Sequence, residues 1–174
     1  MMPCKLIILS ALLVASISTA CSGTGGHRMA ASIHNVSATE HTPLKEASIL
    51  QTWSGDYPVA QLSRLPVEHV QSAVGFVRDK ATFAAVWEAF KPGENLPEVD
   101  FDKNIIVFNR NVDFYNRTNI IKVTLKDGVA EVLAMETRSA RPIDDRAAMA
   151  LAVIPRDGVK FLRVGAELVA VRQK

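Results

Sequence analysis

Cysteine is nearly absent from this chain. The 174 residues hold two, Cys4 and Cys21, and the chain beyond Cys21 carries no thiol. A domain built from the later residues can therefore form no internal disulfide, no thiolate zinc site and no cysteine nucleophile. Charge of one sign is also lacking. Twenty basic residues stand against 18 acidic ones, a formal charge of +2, which supplies no field suited to nucleic acid. Histidine is scarce: past His41 only His69 remains, so a Ser–His–Asp arrangement has one candidate base. The longest apolar run, residues 6–17 (LIILSALLVASI), would make a helix of about 18 Å. A bilayer core of roughly 30 Å needs about 20 apolar residues, so this run is too short to span it.

A run of that length suits the h-region of a secretory signal. Lys5 and the terminal amine form a short positive n-region ahead of it. Small residues follow at Ser18 and Ala20, and Cys21 comes next. A cysteine directly after a small residue at such a site is what a bacterial lipoprotein signal requires, because the thiol accepts the diacylglyceryl group. Cys21 is accordingly expected to be the lipidated first residue of the mature protein. Ser18 stands where lipoprotein signals usually carry leucine, and Ser18-Thr19-Ala20 equally fits an ordinary secretory cleavage site. Secretion without lipid and an uncleaved anchor are the alternatives. Cleavage after residue 20 removes one lysine and no acid, leaving a net charge of +1.

Residues 21–48 are rich in Ser, Thr, Gly, Ala and His and show no apolar period. They read as a flexible tether spanning about 30 Å. His27, His34 and His41 recur every seven residues in it, a spacing unlike that of metal ligands on a fixed element. The folded body is expected over 49–174. Residues 49–53 (ILQTW) read as a first strand ended by Ser54-Gly55-Asp56, with Tyr57-Pro58 in a loop. Residues 70–77 read as a strand leading to a helix over 79–91. There Asp79 is the N-cap, Phe83, Val86, Trp87 and Phe90 form one apolar stripe, and Pro92-Gly93 is the stop.

Residues 105–108 (IIVF) suit a strand buried on both faces. Residues 109–119 read as a polar loop. Alternating strands on either side of Asp127-Gly128 read as a hairpin. Residues 138–146 form a charged loop in which Asp144 and Asp145 would pair with Arg141 and Arg146. Residues 148–155 read as a strand whose small alanine face would lie under a helix. Pro155-Arg156-Asp157-Gly158 is a turn, and two strands about Gly165-Ala166 close the chain.

Candidate chemistry is sparse. Glu98, Asp100 and Asp102 would share a face of an extended segment and offer oxygens to calcium, without the full calcium-loop pattern. His69 alone does not make a catalytic site. The stretch 110–117 is the best binding candidate, because arginine and tyrosine are the side chains that anchor protein interfaces. Arg110, Asn111, Tyr115, Asn116 and Arg117 are the expected protein-contacting residues. No catalytic residue, metal or cofactor is expected.

From about Gly75 onward the chain resembles the PrcB-like family, whose founding members are bacterial lipoproteins that stabilise a surface protease complex. The matching residues are Phe83-Ala84-Ala85-Val86-Trp87, Val99-Asp100-Phe101-Asp102-Lys103 running into Ile105-Ile106-Val107-Phe108, and Ala152-Val153-Ile154-Pro155. Where that family carries a glycine-rich turn after the buried strand, this chain has Asn109-Arg110-Asn111 and Asn116-Arg117-Thr118. The resemblance implies an α+β domain on a lipid anchor with a protein partner.

The combined expectation is an α+β domain, a mostly antiparallel sheet of about six to eight strands on one main helix (79–91). The protein would be a non-enzymatic accessory of the cell envelope, monomeric on its own, held to the membrane through Cys21 and bound to another envelope protein. A carrier of a small apolar or lipidic ligand, lodged between sheet and helix, is the second reading. An envelope hydrolase using His69 is the third.

Overall fold

The structure, a computed structural model, describes residues 44–171, without the side chains of Asp113 and Phe114. The expected signal segment, Cys21, most of the expected tether and the three spaced histidines lie outside the described residues. Seven strands and one α-helix make up the described body: β1 (Lys45–Ala47), β2 (Gln51–Pro58), β3 (Val74–Val77), α1 (Lys80–Phe90), β4 (Asn104–Lys126), β5 (Val129–Pro155), β6 (Phe161–Val164) and β7 (Glu167–Ala170). All seven strands belong to one mixed sheet, in which only β5 and β6 run parallel. No helix among the described residues is long and apolar enough to cross a membrane.

The sheet is organised by the hairpin of β4 and β5. Its turn is Asp127-Gly128, with φ of 51° and 84°, the positive pair that a two-residue turn between twisted strands demands. At the open end, 104–111 pair with 148–155, flanked by β3 on one side and β2 on the other. Near the turn, 117–126 pair with 129–137, flanked by β1 and by β6 with β7. Between these ends the register shifts three times, and β4 doubles back. The amide of Asn109 donates to the hydroxyl of Thr118 at 3.0 Å, although nine residues of straight strand would separate them by roughly 30 Å.

Doubling back makes three layers. On the outside, α1 lays Phe83, Val86, Trp87 and Phe90 against Ile106, Phe108, Met149, Leu151 and Val153. The other face of the same strands carries Ile105, Val107, Ala150, Ala152 and Ile154, which meet Ile120, Val123, Ala130, Val132 and Leu162 of the folded-over half. A strand in the middle layer must be apolar on both faces, hence the uninterrupted burial of 105–108 and 147–154. The alanine face was expected to lie under the helix. In fact the helix covers Met149, Leu151 and Val153, and the alanines face the other half of the sheet.

The helix begins as predicted: Asp79 accepts from the Thr82 backbone N–H at 2.8 Å, a cap that contributes about 1 kcal/mol. Several boundaries differ from expectation. The folded body begins at Lys45, not at 49, because the polar Lys45-Glu46-Ala47 is held as an edge strand by pairing with Leu125, Thr124 and Val123. The strand expected to stop at Ser54 runs on to Pro58, and Tyr57 is buried in the helix-side core. Gly55 sits in mid-strand because Phe90 and Lys91 lie over it. A Cβ there would come within 3.1 Å of the Lys91 Nζ. The strand expected over 70–77 is cut to Val74–Val77, and the preceding residues turn, with Ser72 N–H donating to the His69 carbonyl. The expected loops 109–119 and 138–146 are both strand, bulged at the bend. Polar composition there reflects exposure on the bend, with pairing supplied by the opposite strand.

Candidate functional site

The five residues singled out from sequence separate into three environments. Arg110 is no surface anchor. It is 6% exposed, and its guanidinium donates to the backbone carbonyls of Val70 and Ser72, both at 2.8 Å. The arginine satisfies two carbonyls of the turn before β3, which have no strand partner, and so ties that turn to β4. Burial pushes its pKa down, against the opposing influence of Glu167 and Tyr57. Burial likewise raises the Tyr57 hydroxyl to about 12, opposed by Arg64 and Arg110. This is a structural cluster on the inner side of the strands.

Asn111 and Tyr115 are exposed or half-buried but occupied. The Asn111 amide and the Asn109 amide both donate to the Glu136 carboxylate, the latter at 2.8 Å. Arg138 lies over the Tyr115 ring at 4.9 Å and donates to its hydroxyl at 2.6 Å. These contacts join β4 to β5 across the bend and fix its shape.

Asn116 and Arg117 stand apart. With Asn119, they line a groove of about 490 Å³ whose opposite wall is Ser54, Gly55 and Asp56 of β2 and whose remaining side is Arg146 of β5. Trp53 and Tyr57 alternate towards α1, so Ser54 and Asp56 face the folded-over half. Arg146 makes an ion pair with Asp56. Arg117, Asn116, Asn119 and the Ser54 hydroxyl have no side-chain hydrogen bond or ion pair among the described residues. Arg146 was expected to pair with Asp144 or Asp145. Its carboxylate is Asp56 instead, because antiparallel pairing of β2 with β5 sets Pro58 opposite Arg146. Ser54, Asp56 and Asn119 carried no sequence signal; Asp56 and Arg146 are 90 residues apart, and only the sheet register joins them.

His69 is enclosed rather than open to solvent. It is 2% exposed, its ring is 4.6 Å from that of Phe76 and 6.1 Å from that of Phe108, and neither ring nitrogen has a hydrogen-bond partner. Among the described residues no serine is within hydrogen-bond reach of it, so they assemble no triad of the kind the hydrolase reading needs around His69. Gly75 makes the close packing possible, because a Cβ there would lie 2.7 Å from the His69 ring and 2.3 Å from Phe108.

A second recess of about 490 Å³ opens beside the start of α1, floored by Phe83 and Phe101 and rimmed by Lys80, Glu98 and Asp100. Asp100 is bound by Lys103 at 3.2 Å and accepts from the Asp102 N–H at 3.1 Å. Those contacts hold its pKa down. No group of three or more potential metal-ligating side chains comes together among the described residues. Between α1 and the sheet the space is filled by Trp53, Phe83, Trp87, Phe108 and Leu151, so an apolar ligand would have to displace packed side chains. No family model, curated protein or solved structure matches the chain.

Proposed function

We propose that this protein is a non-enzymatic, lipid-anchored accessory of a bacterial cell envelope that binds and steadies another envelope protein. The observation that carries the binding reading is the groove at the hairpin bend, where Asn116, Arg117, Asn119 and Ser54 present unused donors on rigid strands. Interfaces gain affinity from preorganised contacts, since ordering a mobile loop costs free energy on binding. Cross-strand bonds from Asn109, Asn111 and Arg138 hold this bend in shape before any partner arrives. The anchor reading rests on the short apolar run and small residues before Cys21, and the resemblance to the PrcB-like lipoproteins supports a protein partner such as a protease complex.

Two measurements test this. Mass spectrometry of the N-terminal peptide from membranes should find Cys21 carrying diacylglyceryl; a free Cys21 thiol on soluble protein removes the anchor. A photo-crosslinking residue at Asn116 should trap one envelope protein in cells, and the same residue at Lys126, beside the hairpin turn, should not. Equal labelling from both positions would defeat the binding reading.

A further inference from the structure

We infer that the groove at the hairpin bend takes an extended, acidic segment of the partner, with a carboxylate seated on Arg117. This rests on the protein-binding reading above and names the partner's chemistry. The charge in the groove is asymmetric. Asp56 neutralises Arg146, while Arg117 is exposed and has no counter-ion among the described residues. One cation is therefore left over, flanked by the amides of Asn116 and Asn119 and facing the Ser54 hydroxyl across the groove. An arginine fork matches a carboxylate in bidentate fashion, and neighbouring amides and a hydroxyl can bond the backbone groups of the same segment. The opening, about 490 Å³ between β2, β4 and β5, is larger than a single small anion would fill, so an extended peptide with acids on alternate residues, which share one face, fits it best.

The groove also contains its own competitor. The Asp56 carboxylate occupies Arg146 and repels an incoming acid. Removing that charge should expose a second arginine to the ligand.

The test uses the purified full chain, titrated into a dye-labelled Asp-Ser repeat peptide and followed by fluorescence anisotropy, with Asn-Ser and Lys-Ser repeats as controls. The acidic peptide should bind, the two controls should not, and raising the salt should weaken binding. Arg117→Glu should weaken it by about tenfold or more. Asp56→Asn should tighten it by about threefold, a gain that a misfolded variant cannot imitate. Lys126→Glu, distant from the groove, should leave it unchanged. The proposal is overturned if the acidic peptide fails to bind, if Arg117→Glu and Lys126→Glu weaken it equally, or if inorganic phosphate displaces the peptide at equal concentration. The two readings fail separately. If Arg117→Glu abolishes peptide binding but the Asn116 crosslink in cells persists at full yield, the acidic-segment inference is wrong and the accessory role stands. If the peptide passes every arm and no envelope protein is trapped, the groove stands and the accessory role falls.

Discussion

At its open end the long hairpin buries both faces of its strands, and near its turn the same two strands bury one face and expose the other. Residues 105–108 and 147–154 are buried without a break. From Ala130 to Met135 burial alternates, Ala130 and Val132 inside and Glu131, Leu133 and Met135 outside. Backbone pairing is similar in both regions, so the contrast comes from the layers on either side. The first region lies between α1 and the folded-over half, while the second has only one neighbour. A hairpin that bends back on itself thus provides its own second layer, and one short helix is enough to close the other face. It also leaves a polar bend between the two regions, where the side chains of Asn116, Arg117 and Asn119 are free to do something else.

The comparison breaks most readily at the apolar positions. Phe108→Ala, in the middle layer and fully buried, should cost about 3–5 kcal/mol, because both the transfer and the cavity penalties apply. Leu133→Ala, on the outer face and 54% exposed, should change stability by less than about 0.5 kcal/mol. Urea denaturation of both variants gives the result. Similar losses would mean that the two regions are equally layered in solution.

The next contrast is between two arginines of the same strand. Arg110→Ala removes a buried guanidinium and leaves the Val70 and Ser72 carbonyls without their donor, so it should cost about 2–3 kcal/mol. Arg117→Ala, in the groove, should stay within about 0.5 kcal/mol. Thermal unfolding distinguishes them: a large drop for both would place Arg117 in the structural network.

These contrasts also mark where the sequence was legible. The helix announced itself through the Phe83–Phe90 stripe and the Asp79 cap, and the hairpin turn through Asp127-Gly128, because both are local signals. The middle strand was legible from residues 105–108, since burial on both faces abolishes alternation. The alanine face was visible as a close approach, but the sequence had no means of saying which layer made it. The bend was misread as two loops, because a polar run on a bulged strand has the composition of a loop and its pairing partners lie 16 or more residues away. The candidate site inherited that error. Asn116 and Arg117 lie in the groove, but Arg110 resembled them in type and neighbourhood, and only the fold-back shows that it is turned inward.

The smallest effect expected concerns His69, which sits at the seam between the turn before β3 and the middle layer. Burial lowers its pKa from the ordinary 6.5; Glu68 and Glu167 act against the shift and Arg78 adds to it. A lowered pKa in the folded state means that the unfolded chain takes up this proton first as the pH falls. The stability is therefore complete above about pH 6.5 and declines as the pH drops below it, until the folded protein can accept the proton as well. His69→Leu removes the titration while keeping an apolar side chain between Phe76 and Phe108. The urea midpoint of the wild type should fall between pH 7.5 and pH 5.5 by more than that of His69→Leu, even if the variant is less stable at both. The Leu133 variant should keep the wild-type slope, since that exposed residue is not part of the box around the imidazole. Parallel pH profiles for wild type and His69→Leu would show that the ring is reached by water in solution, and the seam between that turn and the middle layer would then be looser than the packing of Gly75 against Phe108 implies.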